Sequence, residues 1–388
     1  MIRFPSKERP DWQQRASQFG FHFHTMYGQP YWDETNYYQF TLEQIEADLE
    51  APSETIHQLC LQAVENVLND DALLAKFQIP QPFWDWIKAS WQNQEPCLYA
   101  RLDLAYNGSG DAKLYENNAD TPTSLYESGF WQWLWLEDKV NRGDIHRRAD
   151  QFNSIQEKLV QRFARLHQDN LGEVLHFACC KDTEEDRGTV QYLQDCAEEA
   201  GIACKFVYIE DIGHGEGEVL TDLDDQVITW MFKLYPWEFM LREEYAPLLL
   251  TAKVKWLEPP WKAIISNKAI LPVLWQMFPD HPNLLPAYFS EQDAKQHLSR
   301  YVKKPIFARE GANVSIYSNG EEIVHSDGPY GEEGFIYQAY YPMPKFGDDH
   351  TLIGSWLIDY QACGLSIRED KALITQDLSR FVPHIIVD

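Results

Sequence analysis

The chain has 388 residues, of which 44% are hydrophobic and 14% aromatic, and it carries a formal net charge of -27. That composition excludes a disordered or low-complexity chain, and the acidic balance disfavours a nucleic-acid backbone or an anionic membrane as partner while favouring cations such as metal ions and amines. The seven cysteines (60, 97, 179, 180, 196, 204 and 363) contain no Cys-x-x-Cys pair, the N-terminus has no apolar leader, and no apolar run reaches membrane-spanning length, so a soluble, unprocessed, cytoplasmic protein with reduced thiols and two or three subdomains is expected.

From Thr41 to about Leu68 the apolar spacing predicts helix, with Pro52-Ser53-Glu54 as a break, and another helix follows Pro82. Cys97 to Tyr106 then alternates as a strand, and Ala112 to Glu116 resumes the alternation after the turn-rich Asn107-Gly108-Ser109-Gly110-Asp111. With Gly108 to Asp111 as the loop, Asn107 faces Ala112, Asp103 faces Glu116 and Arg101 faces Asn118. The two-residue period places all four side chains on one face. A carboxylate opposite a carboxylate is unfavourable without a cation between them, and two carboxylates plus an amide oxygen form a hard donor set suited to magnesium. Arg101 beside it suits a phosphate or a developing oxyanion. The alternative at this point is a solvated hairpin face on which Arg101 neutralises its acidic neighbours.

After the hairpin, Trp131 and Trp135 share a helical face and are expected to be packed in a core rather than to cage a ligand. A helix over about 152–167, a buried strand over 174–180, a helix over 184–200 and a strand over 203–209 compose a β-α-β unit of a mostly parallel sheet. The acidic run Asp182 to Asp186 ends the first of these strands, either as a cation or amine site or as an N-terminal cap with acids against the helix dipole. Gly213-His214-Gly215-Glu216-Gly217 has acidic flanks and a strand after it, and is rejected as a nucleotide loop. Beyond Ser266 a helix opens, a second spans about 291–299, and strands take over. Hairpins are expected at Asn319-Gly320, Asp327-Gly328 and Glu369-Asp370. Lys268, Lys303 or Lys304, and the loop Glu310 to Asn313 are candidates to surround a nucleotide's phosphates.

The ordered pieces Arg101-x-Asp103, Glu116-x-Asn118-Ala119-Asp120-Thr121-x-Thr123, Ser266-Asn267-Lys268-Ala269-Ile270-Leu271, Lys304-Pro305-Ile306 with Gly311-x-Asn313, and Gly364-Leu365-x-Ile367-Arg368 leading to Leu373-Ile374-Thr375 resemble the synthetase region of the glutathionylspermidine synthases and their stand-alone relatives, an ATP-grasp family of acid–amine ligases. The resemblance implies an α/β and α+β fold: a mainly helical region over 1–96, a metal-binding hairpin and following helix over 97–150, a pre-ATP-grasp-like α/β subdomain over 151–260 and an ATP-grasp-like nucleotide-binding region over 261–388.

It further implies that Asp103, Glu116 and Asn118 hold two magnesium ions on ATP, with Arg101 stabilising the transition state. Arg101, Leu102, Asp103, Lys268, Lys304, Glu310 and Gly311 would border the nucleotide, Gln338-Ala339-Tyr340-Tyr341 would be the linker strand that reads adenine through backbone groups, and Leu373-Ile374-Thr375 would also bind the nucleotide. Thr121 and Thr123 would stand near the acid substrate, Arg368 at a carboxylate, and Glu184 and Glu185 at the amine. The implied reaction phosphorylates a peptide-like carboxylate and passes the acyl group to an amine or polyamine. The upstream amidase domain of the bifunctional synthases has no counterpart in this sequence, so amide hydrolysis is not expected. A nucleotide-regulated polyamine or peptide binder and a metal-dependent phosphohydrolase are the competing readings.

Overall fold

An antiparallel sheet organises the chain, with its strands in the order Arg380–Phe381, Gln361–Asp370, Asp349–Ile358, Tyr99–Ala105 and Lys113–Asn118. The structure, a computed structural model, describes residues 1–309, 311–374 and 379–387, so Glu310 and Thr375 lie outside the described residues. Tyr99–Ala105 is buried at every position. Its even-numbered Leu102 and Leu104 feed the largest hydrophobic core, while Arg101 and Asp103 turn to the other face. The two longest strands are joined at Asp359 and Tyr360, both with positive φ (48° and 68°), the backbone that suits a tight hairpin turn. Glu369 and Asp370, expected to turn, instead end the strand Gln361–Asp370, because the long pairing with Asp349–Ile358 carries the chain past them.

The helix Ala51–Leu68 buries Ile56, Cys60, Ala63, Val64 and Val67 against this core, the one-sided spacing that the sequence predicts. Pro52 does not break it. A π-helical turn, Glu46–Glu50, leads into the helix, and Pro52 sits in its first turn, where a missing N–H is tolerated. The stretch before Thr41 is less helical than expected: Asn36–Phe40 pairs on one side with Ile2–Pro5 and on the other with the C-terminal strand His384–Ile386. Trp131 and Trp135 are buried in one cluster with Trp12 and Trp32.

Residues 174–257 form a four-stranded parallel sheet in the order Lys255–Leu257, Trp230–Leu234, Val174–Cys179, Ala203–Tyr208, with the helix Glu184–Glu199 crossing between the last two. Gly213–Gly215 pairs with Val219–Thr221 in a small hairpin, so the rejected glycine run is indeed followed by strand. A five-stranded antiparallel sheet comes next: Ala287–Tyr288, Phe335–Ala339, Arg300–Pro305, Ser315–Ser318, Glu321–His325. Asn319-Gly320 makes its expected turn. Asp327-Gly328 does not; it lies in the longer connection between Glu321–His325 and Phe335–Ala339. Among the described residues no helix is long and apolar enough to cross a membrane, and all seven cysteines are free thiols.

The parallel sheet is tied to the hairpin by charge. Asp120, two residues past Lys113–Asn118, accepts from Lys233 Nζ at 2.7 Å and from the Trp237 amide at 2.8 Å, and both charged side chains are almost completely buried. Removing one member leaves the other uncompensated in low dielectric. Asp120→Ala is therefore expected to cost about 3–5 kcal/mol in urea unfolding, whereas Asp71→Ala, which removes the exposed partner of Lys88, should stay within about 1 kcal/mol.

Candidate active site

The hairpin carries the expected pairs, Arg101 opposite Asn118 and Asp103 opposite Glu116, but it reaches them by another route. Next to the loop the register is Ala105 with Lys113 and Leu104 with Leu114, one residue out of step with the count that starts from Asn107 facing Ala112. An extra residue, Tyr115, bulges from the second strand and restores the phase at Glu116. The bulge has its own contacts: the Tyr115 hydroxyl donates to the Tyr341 carbonyl at 2.8 Å, and the Tyr115 carbonyl accepts from Lys304 Nζ at 3.1 Å.

Protein cations neutralise the two facing carboxylates. Arg101 Nε donates to Asp103 Oδ1 and Arg368 to Asp103 Oδ2, both at 2.8 Å, and Lys268 Nζ meets Glu116 Oε2 at 2.7 Å. Two carboxylates across a ladder thus need no metal between them to be stable, and the neutralising role considered for Arg101 is real. The face is not solvated, however; Asp103 is 2% and Arg101 7% exposed. Burial works to raise the Glu116 carboxyl, but the Lys268 and Lys304 ammoniums override it and hold it down to about 2. Burial pushes Lys304 down to about 8 despite the opposing charge of Glu116. Lys304 Nζ also donates to Gln338 Oε1 at 2.6 Å, while Lys303 lies over the Phe335 ring, so Lys304 is the one that enters the site.

Asp103, Glu116 and Gly311 line two clefts at once. The first, about 750 Å³, is largely apolar and bounded by Lys268, Lys304, Gln338, Ala339, Tyr340, Tyr341, Leu373 and Ile374. The second, about 740 Å³, is polar and bounded by Arg101, Asn118, Thr121, Thr123, Glu185, Arg309 and Arg368. Two predicted residues fall elsewhere. Leu102 packs in the core on the opposite face of its strand, and Glu184 is exposed on the helix outside both clefts. Gly311, with φ at 70°, provides the left-handed backbone of the loop between the clefts.

Sequence reasoning passed over three contributors. Arg309 donates to Glu238 Oε1 at 2.8 Å and to Thr121 Oγ1 at 2.8 Å; its place directly before the Glu310-Gly311 loop was the available signal. Tyr31 reaches both Glu185 and Glu127 from a distant part of the chain, and no local pattern marks Tyr31 or Glu127.

A hard-oxygen hairpin thus lies between a lysine-lined apolar cleft and an arginine-lined polar one. The chain matches the family described as glutathionylspermidine synthase preATP-grasp over residues 3–387. It is 39% identical to a Haemophilus influenzae protein that carries the provisional name acid–amine ligase, over 99% of this chain and 98% of that one. It is 30% identical to the Crithidia fasciculata trypanothione synthetase over 82% of this chain and 52% of that one, and 27% identical to the Escherichia coli bifunctional glutathionylspermidine synthetase/amidase over 92% and 60%. The chain thus spans about half to three-fifths of the latter two. In fold it is similar to a glutathione synthetase-like effector from Globodera pallida, with a TM-score of 0.55 at 13% identity, covering 90% of this chain and 89% of that one. The chain belongs to the glutathionylspermidine synthase pre-ATP-grasp family, and with it to the ATP-dependent carbon–nitrogen ligases.

Gly354 faces Asp103 on the neighbouring strand, and a Cβ there would lie 2.3 Å from Ser366 Oγ and 2.8 Å from Arg101 Cδ. Gly354→Ala is expected to displace Arg101 and to destabilise by about 1–3 kcal/mol in urea unfolding through overpacking.

Proposed function

We propose that this protein is an ATP- and magnesium-dependent ligase that joins a peptide-like carboxylate to an amine or polyamine through an acylphosphate. The observation that carries the reading is the wall shared by the two clefts, Asp103 and Glu116, with lysines on one side and arginines on the other. The nucleotide base would lie among Val302, Ile316, Tyr340 and Ile374, with Lys268 and Lys304 at its phosphates. Glu310 and Thr375 are assigned to the phosphate loop and to nucleotide binding, respectively, on the resemblance alone.

The residues present fit magnesium. Asp103, Glu116 and Asn118 offer oxygen only, and among the described residues no cluster of three His, Cys, Asp or Glu closes a cage. Magnesium favours such an open set, completing its shell with phosphate oxygens and water. Bound there, a pair of magnesium ions would supply charge neutralisation at the phosphates.

In the polar cleft, Arg368 and Arg101 orient the acid substrate's carboxylate and stabilise charge on its oxygens, and Thr121 and Thr123 border that substrate. A carboxylate oxygen attacks the γ-phosphorus, ADP departs, and the acyl carbon becomes electrophilic. The amine nitrogen then attacks that carbon, and phosphate leaves with the carboxylate's original oxygen. Glu185, which lines the polar cleft, suits a cationic amine, as does the net charge of -27. The names of the relatives favour small peptides such as glutathione, and polyamines.

ADP release measured against a matrix of small peptides and amines, with products identified by mass, tests the reading. Asp103→Ala should lower amine-stimulated release by about 100-fold or more; a variant as active as the parent would sink the proposal. Oxygen-18 placed in the substrate carboxylate should appear in inorganic phosphate, whereas a phosphohydrolase would take that oxygen from water. Because Lys304 loses its proton as pH rises through about 8, ADP affinity should be steady below that pH and fall above it. In Lys304→Met it should be weaker throughout and lack that inflection, as isothermal titration across the range would read.

A further inference from the structure

One hydroxyl bridges two acids at the edge of the polar cleft. Tyr31 Oη lies 2.7 Å from Glu127 Oε1 and 3.1 Å from Glu185 Oε1. A phenol has a single proton to donate, so when both partners are carboxyl groups, one of these bonds must be made by a proton belonging to an acid. Glu127 is the better holder. It is 1% exposed, and its second oxygen has no hydrogen-bond partner among the described residues, which is costly for a carboxylate and much less so for a neutral acid. Glu185 is partly exposed and lines the cleft with Thr123, Arg101 and Arg368.

We propose that Glu127 and Tyr31 are positioning residues that hold Glu185 ionised and aimed into the cleft, and that Glu185 is the base that takes a proton from the attacking amine. The inference rests on the ligase reading and adds to it an acceptor for the amine's proton. At rest Glu127 donates its proton to the Tyr31 oxygen, and the Tyr31 hydroxyl donates to Glu185 Oε1, leaving Glu185 ionised with Oε2 free to act. An aliphatic amine arrives as an ammonium. One N–H proton passes to Glu185 Oε2, and the nitrogen lone pair so released forms the C–N bond at the acyl carbon. The C–O bond to phosphate then breaks with its electron pair going to phosphate, which carries away the second N–H proton.

The charges around the pair raise both carboxyls, Glu185 the more, so the proton is placed on Glu127 by its deeper burial and its unpaired second oxygen. Burial, then Glu127 and Asp186, raise the Glu185 carboxyl, while Thr123 and Tyr31 oppose the rise. Burial raises Glu127 against Tyr31 and the more distant Arg101. Both acids are therefore poised above the ordinary carboxylate range, where a base for an ammonium is useful.

Two measurements on the full chain test this arrangement. Infrared spectroscopy at neutral pH should find a protonated-carboxyl C=O band in the parent that is missing from Glu127→Gln; absence of that band from the parent overturns the inference whether or not the protein is a ligase. ADP release is then followed against pH with ATP, glutathione and either spermidine or hydroxylamine, a nucleophile that is already neutral. Glu127→Gln and Tyr31→Phe should lose at least tenfold with spermidine, with the acidic limb of the pH profile displaced in Glu127→Gln, and should keep hydroxylamine turnover within about twofold. An unchanged spermidine profile, or equal loss with both nucleophiles, overturns the inference. A parent that shows the band yet releases no ADP with either nucleophile fails as this ligase, and the inference falls with it.

Discussion

A charged face buried on the central sheet is the constraint from which the arrangement of this molecule follows. Asp103 and Glu116 face each other across a ladder, and a carboxylate withdrawn from water must find compensation nearby. The partners come from widely separated segments: Arg368 from the strand Gln361–Asp370, Lys268 from just before the helix Ile270–Met277, and Arg101 from the hairpin itself. Lys304 adds its charge from the five-stranded sheet while anchored to the Tyr115 carbonyl and Gln338. Satisfying one hairpin therefore brings together the five-stranded sheet, the long strand pair and the helical connection. The same side chains then line the two clefts, so the fold and the clefts are built by one set of charges.

Much of this was legible where the signal is local. Period-two alternation with Asn-Gly and Gly-Asp steps located the hairpin, and the switch from strand to helix and back over 174–209 located the parallel unit. The site pairs were also reached, although by a count in which the loop error and the Tyr115 bulge cancelled. A bulge of this kind has no local mark, because what stabilises it is Tyr341, remote in sequence. Leu102 shows the opposite fault: a run of adjacent residues was credited to the nucleotide, whereas strand geometry sends alternate members to the core. Similarly, Glu184 and Glu185 are adjacent on a helix, and only Glu185 faces the cleft.

The strands of the first forty residues stayed hidden for a related reason. Ile2–Pro5 and Asn36–Phe40 are short, and their sheet is completed by His384–Ile386 from the other end of the chain. The contributions of Arg309, Tyr31 and Glu127 likewise depend on partners remote in sequence. Resemblance to a family filled part of this gap by supplying an order of motifs, but it could not say which neighbours each residue meets.

The wall common to both clefts has a thermodynamic consequence. A ligand that draws Lys268 or Arg368 away from Glu116 or Asp103 changes the field felt on the other side, so the two occupancies are linked. Linkage is reciprocal: whatever factor a guest in the apolar cleft applies to affinity in the polar one is returned in full. The order in which the clefts fill can then alter the kinetics, but not the free energy of the doubly loaded state. A substitution confined to the lining of one cleft can register as altered affinity in the other without touching it.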